Sequence, residues 1–539
     1  MLKIRRALIS VSDKTGLLGL AESLYRHGVE IVSTGGTAAL LRDAGLPVLD
    51  VAALTGHAEA FGGRVKTLSF EIAAALLFDR ARDSAEAEQL AIEPIDLLVC
   101  NLYPFASAVA SGADGAELIE QIDIGGVTLI RAAAKNSAAV CVLVDPAGYE
   151  SFARELTENE GMISSTTLRH NMRLAFNHTA DYDAMIAGTL DARAGVSSLR
   201  LAFEDGQALR YGENPHQAAT VYRQRGQDLP YRLHQGKELS YTNLLDLHAA
   251  TAAAASVSSG LAAGRCACAI VKHGNPCGLA VAGSAAAAFN AAWAGDQISA
   301  FGSVIAFNCA IDVATVKAFG LADPDRSKRR FIEIVAAPSF EPGTAELLAA
   351  LPSLRMVEWH GQSQTFVTHH LGTLLLRQDS DVPVEEPVQA VTKTILPDDS
   401  QTMGLVQFGI RAVARVVSNA IVIVRVTEQD VWQVLGMGAG QPNRVTSVRL
   451  AVDKAKENLA GEAQVCGIDA EQHLRSELAR AILVSDAFFP FADSIDVCAE
   501  AGIRQIVQPG GSKRDPEVIA RADELSIAMA LTGRRHFRH

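Results

Sequence analysis

Along the first 150 residues, apolar and polar positions follow the rhythm of a layered α/β fold. RRALISV (5–11) is a short apolar run of the kind a buried strand leaves. The stretch from Thr15 then places Leu17, Leu20, Ala21 and Leu24 at helical spacing, with Gly28 as its stop. VEIVS (29–33) predicts a second strand, STGGT a tight glycine turn, AALLRDAG (38–45) a second helix and LPVLDV (46–51) a third strand. Strand alternating with helix is the signature of a parallel sheet with helices on its faces. IDLLVCNLYPF from Ile95 and VCVLVDP from Val140 continue the pattern. Residues 151 to about 195 read as mostly helical, and DARAGVSS (191–198) reads as a linker.

A second part begins near Arg200, predicting domains at 1–199 and 200–539. Ala-rich helical stretches (TAAAASVSSGLAA, GSAAAAFNAAWAG) mix there with β-branched strands (CAIVKHG, SVIAFN, AIVIVRV). DSDVPVEEPVQ interrupts the periodic segments and suggests two α/β lobes divided near 380–400. A strand running into KHGNPCG and a later one running into SDAFFPF share an outline, hinting at internal correspondence.

Length agrees with this division, since 539 residues exceed what one core supports. The net charge of -13 argues against a nucleic-acid partner, whose footprint is basic. No run of 18 apolar residues predicts a membrane span, and the start lacks the apolar region of a signal peptide. Eight scattered cysteines predict reduced thiols and a cytoplasmic location. Cys266 and Cys268 form CxC rather than paired CxxC, so no zinc site is predicted.

Three turns rich in glycine and hydroxyls sit at predicted strand ends: Ser10–Gly16 (with Ser12 and Lys14), Ser33-Thr34-Gly35-Gly36-Thr37, and Asp123-Ile124-Gly125-Gly126. Helix N-termini offer free N–H groups to a phosphate, and glycine admits it closely. Ligands of parallel sheets sit beyond the carboxyl ends of the strands, so the turns should converge. Arg64, Lys66 and Thr67 in GGRVKTL, Tyr103, Asp123 and Lys135 add anion binders, a general acid and a general base.

In order and spacing, SVSDKTG, STGGT, GGRVKTL, CNLYPF and IDIGGVTLIRAAAKN resemble the cyclohydrolase part of the bifunctional purine-biosynthesis family. That family joins 5-aminoimidazole-4-carboxamide ribotide (AICAR) transformylase to inosine monophosphate (IMP) cyclohydrolase. The resemblance implies a methylglyoxal-synthase-like domain in which Ser12, Lys14, Ser33 to Thr37, Arg64, Lys66, Thr67, Asn101, Asp123, Gly125 and Gly126 hold the nucleotide. Lys66, Tyr103, Asp123 and Lys135 would be catalytic, with Lys135 the leading acid/base. Ring closure of the formylated ribotide (FAICAR) joins a carboxamide nitrogen to a formamide carbon and loses water, so placed proton donors matter and no divalent metal is demanded.

LRYGENPHQ, GKELSYTNLLDL, VKHGNPCGLA, SAFGSVIAFN, GMGAGQPNRV, SDAFFPFADS, QPGGSKRD and RHFRH extend the resemblance to the transformylase part. It implies a pair of cytidine-deaminase-like lobes, 10-formyltetrahydrofolate as co-substrate, and a homodimer with the transformylase site across its interface. His273 would be the principal acid/base, Lys272 its partner, and Asn419 would orient the formyl group. Arg210, Tyr211, Gly302, Glu333, Asn419, Arg444, Phe488 and Arg535 would contact the ribotide; Val445, Asp493, Ser512 and Lys513 would contact the folate.

The chain departs from the family pattern at identifiable places. KTLHP, with a further histidine four residues on, is replaced by Lys66-Thr67-Leu68-Ser69-Phe70-Glu71-Ile72-Ala73. Gly274 stands where threonine is commoner and Ser303 where glycine is. Ala414 and Ile410 replace a lysine and a tryptophan. A nucleotide-sensing relative that has lost one or both activities is therefore the alternative reading. Asn275-Pro276-Cys277 lacks the HxE and CxxC of zinc deaminases, and Gly436-x-Gly438-x-Gly440 lacks the spacing of a dinucleotide fingerprint.

Overall fold

The apolar runs of the first part pair side by side as β1 (Arg6–Ser10), β2 (Glu30–Ser33), β3 (Leu49–Asp50), β4 (Leu97–Cys100) and β5 (Cys141–Leu143). In this computed structural model, which describes all residues except 62–64, 263, 322–324, 326–328, 362–365 and 383, they form a parallel sheet of order β3-β2-β1-β4-β5. Alternate residues feed two cores, as a period of two requires. Leu8, Val32, Leu98 and Val142 face one helical layer; Ala7, Ile9, Ile31, Val99 and Leu143 face the other. Each large aliphatic side chain so buried contributes about 1.5–3 kcal/mol.

Helix α1 (Leu17–Arg26) buries Leu17, Leu20, Ala21 and Leu24, the face its spacing predicts. Two expectations shift. α2 (Gly35–Asp43) begins three residues earlier than expected, so the glycines of STGGT lie within its first turn. The third strand shrinks to Leu49–Asp50, because the Asp50 carboxylate accepts from the Ala52 N–H (3.1 Å) and starts a short helix, Val51–Thr55. Helices α3 (Phe70–Leu77), α4 (Gly125–Lys135) and α5 (Ser165–Arg193) follow; α5 runs into the expected linker, leaving 196–202 without regular structure.

The chain divides into two compact units, Met1–Ala202 and Phe203–His539. In the second, twelve strands form one continuous sheet. They are β6 (Tyr231–Gln235), β7 (Cys266–Lys272), β8 (Asn275–Ala282), β9 (Ser303–Phe307), β10 (Ile332–Ala337), β11 (Arg355–Trp359), β12 (Gln389–Ala390), β13 (Ile421–Val426), β14 (Trp432–Gly438), β15 (Ile482–Ser485), β16 (Gln505–Gln508) and β17 (Ala528–Leu531). Their order is β6-β11-β10-β9-β7-β8-β14-β13-β15-β16-β17-β12. The halves meet at a short antiparallel seam, Ala280 opposite Gln433 and Val281 opposite Trp432. Outward from it each half repeats one series: an antiparallel hairpin, an antiparallel neighbour, two parallel pairings and an antiparallel edge. The internal correspondence therefore matches the KHGNPCG strand β7 with β13. SDAFFPF follows β15, whose counterpart is β9, so the outline shared in the sequence pairs the wrong strands.

Helices α6 (Tyr241–Ser258), α7 (Ala285–Ala294), α8 (Ser400–Val413), α9 (Arg444–Cys466), α10 (Asp493–Ala501) and α11 (Asp515–Glu524) belong to this unit. Two of them lie close against the seam strands because glycines permit it. A Cβ on Gly278 would stand 2.1 Å from the Ala292 carbonyl oxygen of α7, and one on Gly438 2.0 Å from that of Ser447 in α9. Gly436 and Gly438 of GMGAG thus serve strand–helix packing, whereas Gly440 takes a positive φ of 66° past the strand.

Each unit has buried clusters of its own. A fragment of residues 1–202 should accordingly unfold as one cooperative transition, followed by circular dichroism on heating. A fragment without a cooperative transition would show that its core is completed from elsewhere.

Candidate active sites

In the first unit two of the three glycine turns lie at the carboxyl ends of β1 and β2; the third, Asp123–Gly126, follows a short helix (Gly115–Glu120) rather than a strand and leads into α4. Asn101, just after β4, accepts from the N–H groups of Ser12 (2.7 Å) and Asp13 (2.9 Å) and donates to the Asp13 carbonyl (2.9 Å). Thr37 donates to the Val11 carbonyl (3.1 Å) and Ser33 to that of Ile9 (2.7 Å). Ser33, Thr37 and Asn101 are buried, so their polar groups shape the cradle. Ser12 and the exposed Lys14 stay on its surface, and Thr34 caps α2, ahead of Gly35 and Gly36.

The other segments close on this cradle. Lys66 Nζ would stand 3.7 Å from a Cβ on Gly35, and Thr67 Oγ1 3.4 Å from one on Gly125. Lys66 also faces Glu59 at 3.5 Å. Asp123 accepts from the N–H of Gly126 (2.7 Å) and of Tyr103 (3.4 Å), while its own N–H donates to the Tyr182 hydroxyl (2.9 Å). A Cβ on Gly126 would meet the Asp123 carboxylate at 2.8 Å, so glycine alone fits there. Burial pushes the Asp123 carboxyl above its ordinary range, with the two backbone N–H groups opposing. Tyr103 stands exposed beside it. These features unite a cation, a phenol and a carboxyl of raised proton affinity.

Lys135 does not join them. It ends α4 and is exposed, and at 1.5 Å per residue it lies about 15 Å along the axis from Gly125. Arg64 lies outside the described residues. Ser69, at the departure from KTLHP, caps α3 by accepting from the Ile72 N–H (3.2 Å), so its hydroxyl is spent locally.

In the second unit, His273 and Gly274 form the two-residue turn between β7 and β8, with Lys272 opposite Asn275. Both have positive φ, 54° and 73°, as a type I′ turn requires. Gly274 takes that conformation without the strain a side chain adds. Contacts from elsewhere hold the tip. The Gly274 N–H donates to Asp246 of α6 (2.7 Å), and its carbonyl accepts from Arg538 (3.2 Å). Asn275 accepts from the Val417 N–H (3.1 Å), which brings the turn beside the Ser418-Asn419 segment. His273 is exposed; Lys272 donates to the Phe301 carbonyl (2.9 Å) next to Gly302, whose N–H meets the Phe331 carbonyl (2.7 Å). Glu333 pairs with Arg355 at 3.2 Å.

Asn419 is oriented on three sides. Its amide donates to the carbonyls of Gln441 (2.8 Å) and Pro442 (3.2 Å), and its oxygen accepts from Arg444 (2.6 Å). Arg444 is the main difference from the sequence reading. It is not an exposed anion binder; it is 5% exposed, paired with the wholly buried Asp486 and bonded to Ser485 (2.9 Å). Its place at the start of α9 against β13 and β15 turns it inward. A hollow of about 270 Å³ opens here, lined by Ser418, Asn419, Gly440, Gln441, Pro442, Phe537 and His539.

Phe488 is part exposed whereas Phe489 is fully buried. Val445 is half-buried beside Arg444. Asp493 starts α10, and Arg514 stacks over the nearby Phe491 ring at 4.7 Å. Asp515 accepts from the Ser512 N–H at 3.1 Å. Arg210 stacks on Tyr211, and Arg535 on Phe537, both at 4.7 Å. Among the described residues, no hydrogen bond joins Arg210 or Tyr211 to the Asn419 group. Sequence reasoning missed Asp246, Asp486 and Arg538; SDAFFPF and RHFRH contain two of them, but nothing local marks a residue that acts through a remote partner.

Ala414 and Ile410, the departures near α8, line a small internal hollow together with Arg411, Arg415 and His536. Among the described residues no three His, Cys, Asp or Glu side chains converge as a metal site, and no helix is long and apolar enough to cross a membrane.

Two family models match: an MGS-like domain at residues 16–128 and the AICARFT/IMPCHase bienzyme at 133–454. The chain is 42% identical to the bifunctional purine biosynthesis protein PurH of Xanthomonas campestris pv. campestris (strain 8004), covering 100% of this chain and 99% of that one. It is 41% identical to the protein of that name from Sorangium cellulosum (strain So ce56), covering 99% and 100%. With both family models in order along its length and relatives matched end to end, the chain belongs to the AICARFT/IMPCHase bienzyme family.

Proposed function

We propose that this chain is an AICAR formyltransferase and IMP cyclohydrolase, carrying out two successive steps of purine ring assembly. The observation that carries the reading is the full-length family match, laid over two separate clusters of suitable chemistry. A formyl group passes from 10-formyltetrahydrofolate to AICAR in the second unit, and FAICAR closes to IMP with loss of water in the first. The substrates are thus AICAR, FAICAR and the folate, with no divalent metal.

Formyl transfer joins the ribotide amine nitrogen to the formyl carbon. His273, exposed at its turn, takes the amine proton. Lys272 and the triply held Asn419 face the oxyanion that forms. The folate nitrogen then leaves as it regains a proton, a step served by the same imidazole. Arg444 acts through Asn419, whose oxygen it holds. Phe488, Arg210, Tyr211, Gly302, Glu333 and Arg535 border the ribotide, and Val445, Asp493, Ser512 and Lys513 the folate.

In the first unit the cradle of Ser12, Lys14, Thr34, Gly35 and Gly36 takes the phosphate. The carboxamide nitrogen attacks the formamide carbon, a proton passes through Asp123 and Tyr103, and water departs under the charge of Lys66. The raised proton affinity of Asp123 supports its use as an acid. Lys135 is remote from these groups within one chain and is assigned no step. A homodimer is supported by the apolar surface of the hairpin Phe366–Leu371 and Leu374–Asp379, where Leu371, Leu374 and Leu376 are more than half exposed. Eight free cysteines suit a reducing cytoplasm.

His273→Ala should lower the formyl-transfer rate by about 10²–10⁴-fold and leave cyclisation unchanged. A coupled assay of both reactions checks it; formyl transfer within threefold of the parent would remove His273 from the mechanism. Replacing residues 69–75 by the family segment should raise cyclisation without altering formyl transfer. Rates measured at saturating ribotide decide: no gain in a stably folded variant would show that the Ser69 cap is neutral.

A further inference from the structure

The last eight residues are fastened by charges that the two sites leave unused. Past β17 the backbone returns to the formyl-transfer site. The His536 N–H donates to the Asp486 carbonyl (2.8 Å), Arg538 N–H to the Ser418 hydroxyl (3.1 Å), and Ser418 N–H to the Arg538 carbonyl (2.9 Å). From there the Arg538 guanidinium reaches the Gly274 carbonyl (3.2 Å) and that of Arg415. The chain end thus holds the His273 turn on one side and the Asn419 segment on the other.

The His536 ring points the opposite way, into the protein, and the residue is 7% exposed. Its Nδ1 lies 2.6 Å from the Asp381 carboxylate and its Nε2 2.8 Å from that of Glu386. Both carboxylates belong to the connection that carries the chain to β12. Arg534 reaches the same two, at 2.8 Å and 3.8 Å. From α8 and its end, Arg411 and Arg415 face the cluster across a hollow of about 10 Å³, room for roughly one water, and Arg415 donates to the Asp381 carbonyl (2.9 Å). Asp381, Glu386, Arg534, Arg411 and Arg415 are therefore the charged groups facing the imidazole.

We propose that His536 is a positioning residue for formyl transfer: clasped between Asp381 and Glu386, it anchors the terminal segment so that Arg538 can fix the His273-Gly274 turn. The inference rests on the assignment of formyl transfer to that turn. Burial works against the charged ring, but the hydrogen bond to Asp381 and the negative charges of Asp381 and Glu386 prevail and push its pKa up to about 9. A raised folded-state pKa gives anchoring that is complete below the ordinary histidine value of about 6.5 and is lost as pH rises through about 9.

The test uses the full chain with His536→Gln and His536→Lys, reading formyl transfer, cyclisation and tryptic release of the terminal residues across pH. His536→Gln should release the tail faster at pH about 7.5 and lower kcat for formyl transfer by roughly 10- to 100-fold, with cyclisation unchanged. His536→Lys, which keeps a cation, should retain most of the activity and hold it to higher pH than the parent, whose formyl transfer declines near pH 9. A His536→Gln protein with parental formyl transfer, or with a tail as resistant as the parent's, would overturn the proposal. Full formyl transfer in His273→Ala would instead remove the reaction from the turn, overturning it by a separate route that tail release distinguishes.

Discussion

Asp486 places a carboxylate entirely out of water just past β15, and the residues around Asn419 are organised around satisfying it. Arg444, itself 5% exposed, approaches from α9; the Ser418 hydroxyl donates to the same group, and the Asp486 backbone meets Ala420 and His536. Removing one member of such a buried pair costs about 3–5 kcal/mol, because the other charge is left without a partner. The arrangement therefore has little freedom to drift. Arg444 spends one side of its fork on Asp486 and the other on the Asn419 oxygen, so the orientation of a half-buried amide is set by a buried ion pair.

The first unit solves the same problem with neutral groups. Asn101, Thr37 and Ser33 fix the strand ends and the loop after β1 by bonding their backbone from within, Asn101 taking the Ser12 and Asp13 N–H groups itself. The contrast matters for Asp123. Held by two backbone N–H donors yet drawn out of water, it keeps a proton affinity above that of an ordinary carboxyl.

How much of this was legible in the sequence follows from what sets each feature. The helical face of α1 and the parallel sheet depend on local periodicity, and both were readable; the family and its paired activities were carried by long motifs in order. The Asp50 cap ends β3 short of its apolar run, while α2 starts at Gly35, ahead of its own apolar run, with no side-chain cap from Thr34. Lys135 looked like a neighbour of Asp123 because twelve residues is a short distance in sequence, although a helix turns it into a long one in space. Arg444 looked like an anion binder because its residue type suits one, and only the fold shows a buried partner 42 positions away. The repeat within the second unit is not legible in the sequence, where only two strand ends share an outline, because it lies in the pairing order, which sequence does not display.

That pairing order has a consequence. Approximate twofold repetition about the seam makes two equivalent positions, one at the end of β7 beside the start of β13, the other at the end of β13 beside the start of β7. The first holds the His273 turn and Asn419. At the second, Arg265 ties the two strands together: it pairs with the Asp430 carboxylate, donates to the Asp430 carbonyl (2.7 Å) and lies 4.8 Å over the Trp432 ring. One end of the pseudo-symmetric pair thus carries candidate chemistry, and a single arginine holds the other together as structure.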